Sequence, residues 1–223
     1  MTQQEMLERM EFFLYGKHAW KFESDAQPAQ TGYRIVPTQQ VNILFAEGKE
    51  LVASTARWWL VPRWFKGALR DWKATTFNAK LETAAEKPSF RDAWKNGRCV
   101  IPALGYYEWS GPKTNRQPHF IYLQQNQPLL LLAGLQTQRP DGLRTCTILT
   151  RGAFPDIADI HDRMPVMLTA QEAEGWLTYS DDDETVKQNL GLAVEGRVKS
   201  HRVGKFKRGE DGPELIESIE GFL

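Results

Sequence analysis

Three short islands of the sequence carry side chains suited to proton transfer. Thr76-Phe77-Asn78-Ala79-Lys80-Leu81-Glu82-Thr83 offers an amide. Gly105-Tyr106-Tyr107-Glu108-Trp109 offers a carboxyl, and Ile160-His161-Asp162-Arg163-Met164-Pro165 an imidazole between an apolar run and a proline. An amide, a carboxylate and an imidazole are the minimum set for acid–base work on a carbonyl or a sugar. Period-two alternation places Tyr107 and Trp109 on one sheet face and Tyr106 with Glu108 on the other. A carboxyl partly desolvated by aromatics has a raised pKa and can exchange a proton near neutrality; the plainer alternative is a salt bridge on a solvated face. His161, as an imidazole, suits proton abstraction, although a lone histidine is often structural. Asp162 and Arg163 are both candidates for orienting it. Asn78 can donate and accept, fitting a sugar hydroxyl or an amine, or it can cap a turn.

Other chemistries find no support. His18, His119, His161 and His201 are scattered, and neither HExxH, CxxC nor a GxxxxGK loop occurs, so no metal and no cofactor is expected. Lysine plus arginine and aspartate plus glutamate each number 28, which removes any global field for a polyanion. The charge is segregated, however: Arg197 to Arg208 is strongly basic and acidic residues flank it, so either a solvated face or a local phosphate contact results. Cys99 and Cys146 sit in apolar strand-like runs and read as reduced core thiols. No signal peptide is visible, and the longest purely apolar run, Leu129 to Ala133, is far short of a membrane span. A soluble, cytoplasmic monomer without a membrane partner is expected, nucleoid-associated if bacterial.

The elements that must position these islands are short. Thr2 and Glu5 have the form of a capping box ahead of Met6, Leu7, Met10, Phe13 and Leu14, predicting an opening helix. Strands are predicted at Val41 to Phe45 and Glu50 to Ala53 around a Glu47-Gly48-Lys49 turn. Further strands are expected at Arg98 to Ala103, Tyr106 to Trp109, His119 to Leu123, Leu129 to Leu135 and Thr145 to Thr150. The turn-rich loop Gly111 to Pro118 joins two of them as a hairpin. Helices are expected at Ser89 to Lys95 and Ala170 to Leu177. This pattern predicts an α+β fold, one domain over residues 1–223, with a curved antiparallel sheet or barrel and a few flanking helices. Four tryptophans crowd one segment, Trp58, Trp59, Trp64 and Trp72.

Taken in order, these segments resemble the SRAP family, the SOS response-associated peptidases or abasic-site processing proteins. Trp58-Trp59-Leu60-Val61-Pro62-Arg63-Trp64 is similar to the family's Trp-Gly-Leu-Ile-Pro-x-Trp, and Asn78-Ala79-Lys80-Leu81-Glu82-Thr83 to Asn-Ala-Arg-x-Glu-Thr. Arg98 to Trp109 matches Arg-Cys-(Leu/Ile)-x-Pro-Ala-x-Gly-(Phe/Tyr)-(Tyr/Phe)-Glu-Trp, and Leu149-Thr150 with Ile160 to Pro165 completes a resemblance running from about Tyr33 to Gly204.

The resemblance implies recognition of an abasic sugar in single-stranded DNA and covalent capture of its ring-opened aldehyde, with no cofactor. Glu108 would act as general acid/base, His161 in ring opening and β-elimination, and Asn78 in orientation. Pro37, Trp64, Phe65, Lys80, Thr150, Arg163, His201 and Arg202 become candidate DNA contacts; Lys80 replaces a family arginine, giving a point-charge contact instead of a bidentate one. The family's nucleophile is an N-terminal cysteine within Cys-Gly-Arg, which closes a thiazolidine and is also linked to self-processing. That motif is absent here. Thr2-Gln3 fits the register of the Thr-Gln that follows it, so Met1 is expected at an internal position with the cysteine upstream. The alternative is a variant whose terminal amine at Met1 or Thr2, of pKa about 8, forms only a Schiff base. From another class, a non-catalytic module that shields single-stranded DNA also fits.

Overall fold

The computed structural model describes residues 20–23, 29, 32–124, 129–178 and 183–219. The predicted opening helix, and with it Met1, Thr2 and His18, lies outside the described residues. β2 (Gln40–Glu47) and β3 (Glu50–Trp58) pair antiparallel from Gln40↔Arg57 to Glu47↔Glu50. Their two-residue turn begins with Gly48 at φ 62°, a conformation open to glycine without penalty. β1 (Trp20–Phe22) adds to β3 in parallel. β5 (Arg98–Ala103), β8 (Leu130–Gln138) and β9 (Arg144–Gly152) continue the sheet, each antiparallel to its predecessor.

The sheet then returns to its start, because β9 pairs with β3 through Arg57↔Thr145 and Trp58↔Cys146. β3, β2, β5, β8 and β9 thus form a ring of five strands. An odd ring cannot alternate direction all the way round, so one neighbouring pair must run parallel, and β3–β9 is that pair. The expected curved sheet is therefore present but mixed.

Both faces of the ring are apolar. On β5 and β8, Val100, Leu131, Ala133 and Leu135 face one core, which is roofed by helices Arg91–Asn96 and Ala170–Thr178 through Trp94 and Trp176. Cys99, Ile101, Leu130 and Leu132 face the other. Strands buried on both sides read as unbroken apolar runs, which accounts for Leu129 to Ala133. The second helix begins with a capping box: Thr169 N donates to Glu172 Oε2 at 2.8 Å and Glu172 N to Thr169 Oγ1 at 3.2 Å.

β11 (Met167–Leu168) pairs antiparallel with β8, and a second sheet orders β12 (Val198–Arg202), β7 (Gln117–Leu123) and β6 (Tyr106–Ser110), with β6 and β7 as the predicted hairpin. The basic stretch is thus partly a strand, and Ile121 and Leu123 seat this sheet on the second core.

The crowded tryptophans brace a stretch with little regular structure. Trp58 Nε1 donates to Phe77 O at 2.8 Å, Trp59 Nε1 to Ala74 O at 2.9 Å and Trp72 Nε1 to Thr76 Oγ1 at 3.0 Å. Each indole buries ring area while its N–H satisfies a local acceptor.

Candidate active site

Two strands bring separate islands to the end of β9. β4 (Asn78–Lys80) runs parallel to it with Lys80↔Thr150, and β10 (Arg163–Pro165) antiparallel with Pro165↔Thr150. Ala79 is buried in the core, so Asn78 and Lys80 share the opposite, exposed face. β6 delivers Glu108 from the second sheet. The three islands meet around one cleft of about 610 Å³, lined by Asn78, Lys80, Glu108, Thr150, His161 and Arg163. Trp58, Ile101, Leu132 and Ile148 form apolar wall.

Glu108 projects from the Tyr106 side of β6. Burial pushes its carboxyl above the ordinary range, and the positive field of His161 opposes the shift. The opposite face of β6 packs Tyr107 against Trp109, Phe120 and Phe206, with centroids 6.5, 5.5 and 5.1 Å away. The alternation read from the sequence therefore holds. Tyr107 also donates from its hydroxyl to Tyr33 O at 2.9 Å, and burial, with Asp211 adding to it, pushes the phenol up to about 12.

His161 is held by main chain. Its Nδ1 lies 3.0 Å from Arg163 N and 3.1 Å from Arg163 O, with Asp162 Oδ1 at 3.3 Å. Nε2 has no hydrogen bond among the described residues. The Arg163 guanidinium turns elsewhere: Nη1 and Nη2 grip Glu82 at 2.6 and 2.9 Å, and Nη2 also donates to Thr150 O at 2.6 Å. The Arg163 side chain beside Glu82 holds that carboxyl below the usual range.

Pro37 lines the cleft within the loop 32–37. Asp211 anchors this loop by accepting from Tyr33 N at 2.6 Å and Arg34 N at 3.0 Å, and Arg34 Nη1 donates to Lys207 O at 2.6 Å. Thr38, next along, has φ 85°, an outlier for a β-branched residue.

Four predicted contacts are not among the lining residues: Trp64, Phe65, His201 and Arg202. Trp64 is 54% exposed, its Nε1 donates to Pro88 O at 3.0 Å, and it packs edge-on with Phe65 and Trp72. His201 faces Phe120 and Tyr122, with Nε2 2.8 Å from Ile216 O. Arg202 stands at the end of β12.

Sequence reasoning missed the role of Glu82 and the lining by Tyr106 and Phe206. Tyr106 is half-buried, its hydroxyl has no hydrogen-bond partner among the described residues, and burial pushes the phenol well above its ordinary range. Its place beside Glu108 in the alternation was the available signal.

Residues 2–206 match the family described as SOS response associated peptidase (SRAP). The chain belongs to the SRAP family. It is 35% identical over 195 residues to the abasic site processing protein YoqW of Bacillus subtilis, covering 83% of this chain and 85% of that one. Identity to YedK of Escherichia coli, also named an abasic site processing protein, is 29% over 198 residues, with 84% of each chain covered. Identity to HMCES of Gallus gallus, of the same description, is 33% over 202 residues, covering 78% of this chain and 60% of that one. A crystal structure of a protein from Bacteroides thetaiotaomicron shares the fold, with TM-score 0.69 at 24% identity over 81% of this chain and 82% of that one.

In this SRAP chain both cysteines are remote from solvent. Cys99 and Cys146 are each 0% exposed, and burial raises both thiols well above the ordinary range. A buried neutral thiol is inert as a nucleophile. Among the described residues, no helix is long and apolar enough to cross a membrane.

Proposed function

We propose that this SRAP protein processes abasic sites in single-stranded DNA, reacting with the aldehyde of the ring-opened sugar. The observation that carries the reading is the convergence of Asn78, Glu108 and His161, far apart in sequence, on one cleft. The names of the relatives support it.

Glu108, its pKa raised by burial, holds a proton for the ring oxygen as the sugar opens and later for the departing hydroxyl. His161, fixed at Nδ1, presents Nε2 as the second proton carrier. Asn78 orients a sugar hydroxyl or the attacking amine. The nucleophile is not Cys99 or Cys146, which are buried. As a chain terminus, the amine of Met1 or Thr2 would give an imine with loss of water. A cysteine preceding Thr2 would instead close a thiazolidine, the stable cross-link, and family self-processing would use the same groups. Lys80, Thr150, Arg163 and Pro37 contact the phosphates and sugars beside the lesion, with Trp64, Phe65, His201 and Arg202 further out along the strand.

The test is a denaturing gel of the chain with single-stranded DNA carrying one abasic site, with and without borohydride. Adduct or cleavage on that strand, and none on the intact strand, is expected. Salt-sensitive binding equal for both strands, without cleavage or adduct, would establish a shielding module instead.

A further inference from the structure

We propose that Lys80 is a second nucleophile of this cleft, its ε-amine condensing with the aldehyde of the opened sugar to form a Schiff base. The proposal rests on the abasic-site reading above.

Among the described residues lining the cleft, the lysine and arginine side chains are those of Arg34, Lys80 and Arg163. Arg34 is engaged with Lys207 O at 2.6 Å and stands 5.3 Å over the Phe206 ring. Arg163 is engaged with Glu82 and Thr150. A guanidinium, moreover, does not form imines. Lys80 carries the amine, its side chain makes no hydrogen bond or ion pair among the described residues, and it is exposed. It shares a strand face with Asn78 and registers against Thr150. A sugar oriented by Asn78 therefore lies beside Lys80, with Glu108 and His161 on the same cleft.

The chemistry balances with water alone. Lys80 gives its ammonium proton to water and adds to C1′ as the free amine, and the aldehyde oxygen, protonated by Glu108, leaves as water. The resulting carboxylate of Glu108 then takes the C2′ proton from the protonated imine. The C3′–O bond breaks with its electron pair on the phosphate oxygen, and hydrolysis of the imine returns Lys80.

The experiment compares the wild-type chain, Lys80→Arg and Lys80→Ala on single-stranded DNA with one abasic site, at concentrations that saturate the DNA for each, with borohydride trapping. Lys80 is exposed and outside both cores, so the variants fold, as their unfolding midpoints verify. A trapped adduct mapped by peptide mass spectrometry to residue 80, and lowered about tenfold or more by Lys80→Arg, is the expected result. Because arginine keeps the charge, loss with that variant identifies the amine rather than a phosphate grip. An adduct undiminished in Lys80→Arg and mapped elsewhere overturns the role of Lys80 while leaving the abasic-site reading standing. No adduct in the wild type overturns the lysine imine. If strand cleavage and lesion preference are missing as well, the abasic-site reading fails with it.

Discussion

Arg163 holds His161 with its backbone, not its side chain: Arg163 N is 3.0 Å and Arg163 O 3.1 Å from the same Nδ1. A neutral ring can accept from the N–H, and a protonated ring can donate to the carbonyl. The imidazole can therefore keep its orientation in either protonation state. Asp162, 90% exposed, is a weaker partner.

This division of labour predicts unequal mutants. Asp162→Ala should change the rate of strand cleavage by no more than about threefold, as exposed pairs contribute under ~1 kcal/mol. His161→Ala should lose about 10²-fold or more. Single-turnover cleavage at saturating protein measures both.

Glu108 and Glu82 should shift stability in opposite directions with pH, both from an ordinary value of 4.5. Raised by burial, Glu108 binds its proton more tightly in the folded state; its contribution is full below pH 4.5 and fades as pH rises through the folded value. Glu108→Gln should therefore gain stability on the wild type above that pH while losing activity. Glu82, lowered by Arg163, contributes above pH 4.5 and stops contributing as pH falls through its folded value. Glu82→Gln should cost about 0.5–1 kcal/mol at neutral pH and nothing in acid. Urea midpoints across a pH series resolve the two slopes.

Gly105 marks a close approach ahead of β6. A Cβ there would stand 2.6 Å from Ile121 O and 2.3 Å from the Phe120 ring, so β6 would have to shift with Tyr106 and Glu108. Gly105→Ala should cost about 1–3 kcal/mol and lower cleavage more than DNA affinity. Thermal unfolding and cleavage kinetics measured together show both effects.

Two aromatic groups could stack bases, Trp64 with Phe65 and Trp109 with Phe206. Trp109 lines the cleft; Trp64 is the more exposed ring. Trp109→Ala should weaken binding near the lesion by about 1–3 kcal/mol. Trp64→Ala should show a similar loss only on strands long enough to reach it. Fluorescence anisotropy with short and long oligonucleotides separates them.

Local physics determined much of this protein from sequence alone. Alternation on β6 assigned Glu108 and Tyr107 to opposite faces, because neighbouring side chains on a pleated strand must point apart. Gly48 and the loop before Pro118 marked the hairpins, since turn geometry depends on a few adjacent residues, and apolar context kept Cys99 and Cys146 inside. Only the tertiary structure decided what required distant segments to meet. The ring closes through two residue pairs between β3 and β9, a consequence of counting strands around a ring, which no local window contains. Asn78 and His161 line one cleft because β4 and β10 both dock on the end of β9. The choice between Asp162 and Arg163 as the partner of His161 turned on where a carbonyl and an N–H point. Such placement is set by the summed packing of both cores, whereas a sequence window records only the preferences of its own few residues.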